Sequence, residues 1–207
     1  MIELKNIHKQ FDEKVILDDF SYQFENGQSY ALTGMSGSGK TTLLNMIGKI
    51  EKPDTGDVLI DQKQLRKIPE QVYFQNYAGY LFQNYGLIDN ETIEQNLTLA
   101  FVGKHIKKAE QKSQMLAALK QVNLTLDLSR KVYSLSGGEA QRVAIAKIIL
   151  KKPMIILADE PTAALDEKNG QEVVDLMKQL VTDDTILIVA THNPMVWEQL
   201  NQRVKLD

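Results

Sequence analysis

The sequence of 207 residues contains no cysteine, which removes disulfides and thiolate metal sites and makes a reducing compartment comfortable. No apolar run approaches the roughly 20 residues that a helix needs to span a bilayer. No charged-then-apolar leader precedes Ile2. The expectation is a cytosolic chain with no direct membrane insertion, whose membrane association comes through a partner. Charge of one sign is scarce as well. Lys and Arg number 24 against 27 Asp and Glu, a formal net charge of -3, so nothing calls for nucleic acid as a partner. The short basic blocks at Lys104–Lys108 and Lys151–Lys152 read as solvated helix ends and loops. The histidines, His8, His105 and His192, show no metal-ligand spacing. Internal repeats, low-complexity tracts and linkers are absent too. What remains is one globular unit, 43% hydrophobic and 25% charged, able to bury a real core.

The N-terminal stretch reads as β. Ile2, Leu4 and Ile7 alternate, then Val15–Leu17 and Phe20, Tyr22 and Phe24 alternate again before the turn at Asn26-Gly27. Ser29–Thr33 is a short apolar strand, and Leu43, Leu44, Met46 and Ile47 recur at helical spacing after it. Pro53-Asp54-Thr55-Gly56 is turn chemistry before a strand at Val58–Ile60, and Tyr77–Phe82 is a further strand. From Glu91 to Val122 the character is helix-forming, so residues 84–134 are expected to form a helical lobe. A helix follows over Glu139–Leu150. Met154–Ala158 and Thr185–Ala190 are continuous apolar runs suited to strands buried on both faces, separated by a polar-faced helix over Glu167–Leu180. Strands alternating with helices predict an α/β fold with a mostly parallel sheet, whose ligands sit at the strand C-termini.

The segment Gly34-Met35-Ser36-Gly37-Ser38-Gly39-Lys40-Thr41 satisfies G-x-x-x-x-G-K-[ST] between a strand and a helix. Its glycines let successive backbone N–H groups face one anion, and the positive end of the following helix adds to that field. Gly34, Ser36, Gly37, Ser38, Gly39, Lys40, Thr41 and Thr42 are the expected cradle for the triphosphate of ATP. Lys40 supplies a point charge to the outer phosphates and Thr41 a hydroxyl to magnesium. Asp159, ending the first buried run, is placed to hold magnesium directly or through water. Glu160, one residue on, is placed to orient or deprotonate an attacking water.

Leu135-Ser136-Gly137-Gly138-Glu139 resembles the signature of the ABC ATPases. Read alone, it is also a plain helix start capped by Ser136. Its company decides, in the order of that family and across nearly the whole chain. Gln83 resembles the Q-loop glutamine, Ala163-Ala164-Leu165-Asp166 the D-loop, and His192 the switch histidine that contacts the terminal phosphate. Phe11 stands where the family stacks an aromatic on adenine; Tyr is more usual there, but stacking needs only the ring.

The resemblance implies one ABC ATPase domain over 1–207, a P-loop NTPase core from 1–83 and 135–207. An N-terminal antiparallel β subdomain and an inserted helical subdomain, 84–134, complete it. It implies a homodimer in which ATP lies between the phosphate loop of one copy and Ser136, Gly137 and Gly138 of the other, with Asp166 nearby. It assigns catalysis to Glu160, His192, Lys40 and Gln83, and magnesium to Thr41, Gln83 and Asp159. The pattern is similar to the macrolide-exporter and lipoprotein-release branch, and within it to ATPase subunits for bacteriocin or antimicrobial-peptide export. Residues 82–97 carry that impression. The implied role is a motor at the cytoplasmic face of the membrane, docked on a separate permease near Gln83 and Asn84–Asn90. A non-transport ABC ATPase regulating a membrane partner, of cell-division or cell-wall type, stays open. The chain ends fifteen residues after His192 and lacks an acidic-glycine pattern at Ser129–Ser134. Both features fit an ATPase with neither a regulatory C-terminal domain nor a fused membrane domain.

Overall fold

The computed structural model describes residues 1–206 and shows two sheets flanked by helices. The first sheet is antiparallel. Strands β1 (Ile2–Phe11) and β2 (Lys14–Phe24) form a hairpin, and β4 (Thr55–Ile60) pairs with the other edge of β1, followed by the short β5 (Lys63–Gln64). Alternation at Ile2 and Leu4 puts those side chains inside and their neighbours outside, as half-buried strands require.

The second sheet is parallel throughout, in the order β6 (Ala78–Leu81), β7 (Ile155–Asp159), β8 (Ile186–Ala190), β3 (Ser29–Thr33), β9 (Gln202–Lys205). Strands β3 and β8 are buried at every residue, which accounts for the unbroken apolar sequence of β8 and the apolar centre of β3, Tyr30–Leu32. Side chains alternate across this sheet into two hydrophobic clusters. Ile155, Leu157, Ile186 and Ile188 join β1, α1 (Lys40–Ile47) and β4 in one cluster. Ile156, Ala158, Leu187 and Val189 face the other, with α5 (Gly137–Lys151) and α6 (Glu167–Gln179).

Between β6 and β7 lie α3 (Ile93–Thr98), α4 (Lys108–Gln121) and short 3-10 turns, packed on α5 through Ile93, Leu97, Met115 and Leu119. The helix-forming run Glu91–Val122 is therefore not one helix. It breaks after Phe101, where Gly103 takes φ +79, and Lys104 turns back to donate to the carbonyls of Leu150 and Lys151 at the end of α5. Two further helices, α2 (Glu70–Asn76) and α7 (Pro194–Trp197), are short. No helix among the described residues is long and apolar enough to cross a membrane.

Candidate functional site

The phosphate loop leaves β3 at Thr33 and enters α1 at Lys40. Gly34 has φ +150, and a Cβ there would lie 2.1 Å from the carbonyl oxygen of Leu206 and 2.6 Å from Ser38 Oγ, so only glycine fits. Gly39 caps α1 at φ 94, and a Cβ on it would meet Ile16 Cγ2 at 2.7 Å. Inside the loop, Lys40 Nζ donates to the carbonyls of Gly34 and Met35, both at 2.9 Å. The Ser38 hydroxyl is buried without a hydrogen-bond partner. A buried unpaired hydroxyl costs about 1–3 kcal/mol, so the loop is shaped for an acceptor it does not itself contain. The first turn of α1 carries no acidic residue, leaving its positive end free for an anion.

The strand register brings the acidic residues to the same edge. Asp159 pairs with Ala190 across β7 and β8, and Leu32 pairs with Ala190 from the other side. Thr41 Oγ1 donates to Asp159 Oδ1 at 3.2 Å. Burial, aided by neighbouring Glu160 and opposed by the Thr41 hydrogen bond and Lys40, holds the Asp159 carboxyl above the ordinary aspartate range. Lys14, Ile16, Ser36, Gly37, Lys40, Thr41, Asp159 and Glu160 share one cleft of 330 Å³. A larger groove of 830 Å³ lies at the C-terminal end of α1, around Lys49, Asp57 and Ile68; its walls contain none of the strand-end acids.

Glu160 sits in the left-handed region at φ 44, with its N–H donating to the Ala190 carbonyl at 2.9 Å. That turn aims its carboxylate at the end of β8. Oε1 accepts from His192 N–H at 3.1 Å and lies 2.7 Å from His192 Nδ1, while Thr191 Oγ1 donates to Oε2 at 3.2 Å. Glu160 and His192 are thus brought together. Gln83 is exposed two residues beyond Leu81, which pairs with Ala158, so it stands at the same edge on the far side of β7. Phe11 ends β1 opposite Lys14, whose ammonium reaches 3.4 Å from the Gly37 carbonyl. The hairpin tip therefore overhangs the phosphate loop.

Ser136, Gly137 and Gly138 form a second centre at the start of α5 and do not line the cleft of the phosphate loop. Ser136 Oγ accepts from Glu139 N–H, and the Glu139 carboxylate accepts from Ser136 N–H at 2.8 Å and from Arg130 at 3.1 Å. The Ser136 amide, with Arg130, holds that carboxyl below its usual range. A Cβ on Gly137 would come within 2.8 Å of Tyr85 Oη. Asp166 caps α6 by accepting from Asn169 N–H at 3.0 Å, and Asn169 accepts from Arg142 of α5 at 2.9 Å. The starts of α5 and α6 are thus fastened together through Arg142 and Asn169.

A family model described as ABC transporter matches residues 17–163. The chain belongs to the ABC transporter family. The ATP-binding protein YvrO of Bacillus subtilis is 35% identical to this ABC cassette over 211 residues, covering 99% of the chain and 92% of that protein. The lipoprotein-releasing system ATP-binding protein LolD of Saccharophagus degradans is 35% identical over 215 residues, covering 100% and 94%. The macrolide export ATP-binding/permease protein MacB of Campylobacter jejuni is 35% identical over 211 residues. There the match covers 100% of this chain but 33% of the relative, so this cassette spans about a third of that protein. Among solved structures, a dimeric ATP-binding cassette in a post-hydrolysis state, bound to ADP and Pi, superposes with TM-score 0.88 at 33% identity. That superposition covers 100% of this chain and 94% of the other. The fold expected from the sequence, a P-loop NTPase core with an antiparallel N-terminal sheet, is that of this family.

Two cleft residues of this cassette are missing from the sequence reading. Lys14 and Ile16 line the phosphate-loop cleft from β2, across the hairpin. The only sequence signal for them was the hairpin register opposite Phe11, which a strand pattern alone does not define.

Proposed function

We propose that this chain binds ATP with magnesium and hydrolyses it as the motor subunit of a transporter, working as a homodimer on a separate membrane-spanning partner. The convergence of the phosphate loop, Asp159, Glu160 and His192 at one sheet edge carries this reading. Thr41 and Asp159 would hold magnesium, with Gln83 as a further oxygen ligand. Among the described residues no cluster of three or more His, Cys, Asp and Glu offers a closed metal cage, which suits an ion that shares its shell with phosphate and water. When bound, magnesium offsets charge on the outer phosphates.

In this reading Phe11 stacks on the base, and the backbone of Gly34, Ser36, Gly37, Ser38 and Gly39 with the Thr41 and Thr42 region encloses the phosphates. Lys40 swings from its loop carbonyls to the outer phosphate oxygens. Glu160 accepts a proton from the attacking water or orients it, and His192 donates toward the terminal phosphate. Ser136, Gly137 and Gly138 present the positive end of α5 to the ATP of a second copy, with Asp166 at the seam. The dimeric cassettes among similar solved structures support that pairing.

The separate membrane partner is read onto the face beside Gln83. Ile50, Phe74, Phe82 and Leu99 are exposed apolar residues there, around a 310 Å³ groove that Lys147 and Lys151 also border. An amphipathic segment of a permease at the cytoplasmic face fits that chemistry, with Asn84–Asn90 at its rim. Within this reading the cargo is a peptide or bacteriocin, on the resemblance carried by residues 82–97. Purified chain should release phosphate from ATP and form a dimer with ATP, both lost in Lys40→Met. A chain that binds ATP but neither hydrolyses it nor pairs would defeat the motor reading. Persistent failure to co-purify with any membrane protein would defeat the transport reading.

A further inference from the structure

Lys9 and Phe11 stand two residues apart on β1, so their side chains share one face of the strand. Lys9 is 6% exposed, uncommon for a lysine unless it is paired. Its ammonium lies 2.8 Å from Glu51 Oε1, 3.1 Å from Asp54 Oδ1 and 3.0 Å from the Lys52 carbonyl oxygen. It also sits over the ring of Phe11, 4.8 Å from its centre. Hydrogen bonding to Glu51 outweighs the opposing effect of burial and holds the amine above the ordinary lysine range, so the charge is permanent at working pH.

The three anchors of that ammonium follow α1, the helix into which the phosphate loop leads. Asp54 also accepts from Gln10 N–H at 2.8 Å, which clamps the backbone of the same strand. Phe11 itself is 45% exposed. The ammonium lies over its ring, and its strand partner Lys14 lines the phosphate-loop cleft.

We propose that Lys9 is a positioning residue for the nucleotide base: it holds the Phe11 ring by a cation–π contact and fixes its distance from the phosphate loop through Glu51 and Asp54. This rests on the reading of Phe11 as the base platform. A cation on one face orients the ring and leaves the other face for a purine. The competing account makes Lys9 a plain ion-pair staple between β1 and the segment after α1. The two accounts differ in which ligand feels the loss of the charge.

The test compares magnesium-ADP with pyrophosphate, which lacks a base, by calorimetric titration of the full chain. Lys9→Met keeps the apolar stem, and the carboxylates it abandons are 35% and 43% exposed, so they can hydrate. It should weaken ADP about 3- to 10-fold while leaving pyrophosphate within about twofold. Lys9→Arg should restore most of the loss, and Lys9→Met should add nothing in a Phe11→Ala background. Equal weakening of ADP and pyrophosphate would overturn the proposal in favour of the staple. If Phe11→Ala weakens ADP selectively and Lys9→Met does not, Lys9 alone loses its role. If Phe11→Ala leaves ADP unchanged, the platform reading falls and the proposal with it. Should Lys9→Met fail to fold, Glu51→Gln loosens the same ammonium, and a base-selective loss is again required.

Discussion

Replacing Glu160 by Gln isolates one proton acceptor with little change of shape. The side chain is 19% exposed and held by three contacts: His192 N–H, His192 Nδ1 and the Thr191 hydroxyl. The amide keeps an oxygen for His192 N–H. Its NH2 can donate to Thr191 Oγ1, which already accepts from Asn193 N–H at 3.1 Å and has room for a second donor. Folding stability should therefore move by no more than about 1 kcal/mol. Chemistry should move far more. A positioned general base contributes about 100- to 10,000-fold, which corresponds to about 2.7–5.4 kcal/mol of barrier. The assay is phosphate release in a single turnover, with protein in excess over ATP, beside ATP affinity and a urea denaturation curve. The expected result is hydrolysis reduced at least about 100-fold, with affinity within about threefold and an unchanged denaturation midpoint. Hydrolysis within about threefold of the parent chain would refute the assignment.

Asp159→Asn should separate stability from function. The folded carboxyl is raised above its unfolded value, so the folded state favours the proton. That contribution is present at low pH and lost as pH rises through the raised value. Without nucleotide, the Asn variant should be at least as stable as the parent chain at pH 8, with the difference shrinking toward pH 4, and should lose the magnesium dependence of ATP binding; urea curves at several pH values check it. Gly48→Ala has an acceptable φ of -74 but places a Cβ 1.7 Å from Tyr80 Oη, whose hydroxyl donates to the Leu44 carbonyl. Overpacking there should destabilise by about 1–3 kcal/mol, partly relieved by Tyr80→Ala, as measured by denaturant midpoint. Ser136→Ala removes one half of a capping box and should lower stability by about 1 kcal/mol. It should leave ADP affinity of the lone chain intact and reduce ATP-driven dimer formation, read by light scattering.

The phosphate loop and the strand ends were legible because their determinants are local. Three glycines, a lysine and a hydroxyl lie within eight residues, β8 is an unbroken apolar run, and β7 is one up to Asp159. The edge strand Gln202–Lys205 was not legible, since only Val204 is buried and its pairing is set by β3. Helix α2 hid for a similar reason, with Tyr73 its single buried residue. The helix-forming character of Glu91–Val122 was legible but its break was not, because propensity says nothing of where Lys104 finds the end of α5. The Lys9 cluster joins residues more than forty positions apart, and the partnership of Glu160 with His192 spans thirty-two. No spacing rule reaches that far.

The parallel sheet divides the interior into two separate packings that share only a backbone wall. Alternate residues of a single strand belong to different interiors: Ile155 and Leu157 to one, Ile156 and Ala158 to the other. Side chains behind α5 and the lobe can therefore be exchanged as a set without repacking those beneath the phosphate loop. A lineage, or an engineer, could refit the surface offered to a membrane partner while the nucleotide half stayed as it was. The wall would also carry strain in the other direction, because a strand tilted by one interior takes Asp159 with it at its tip.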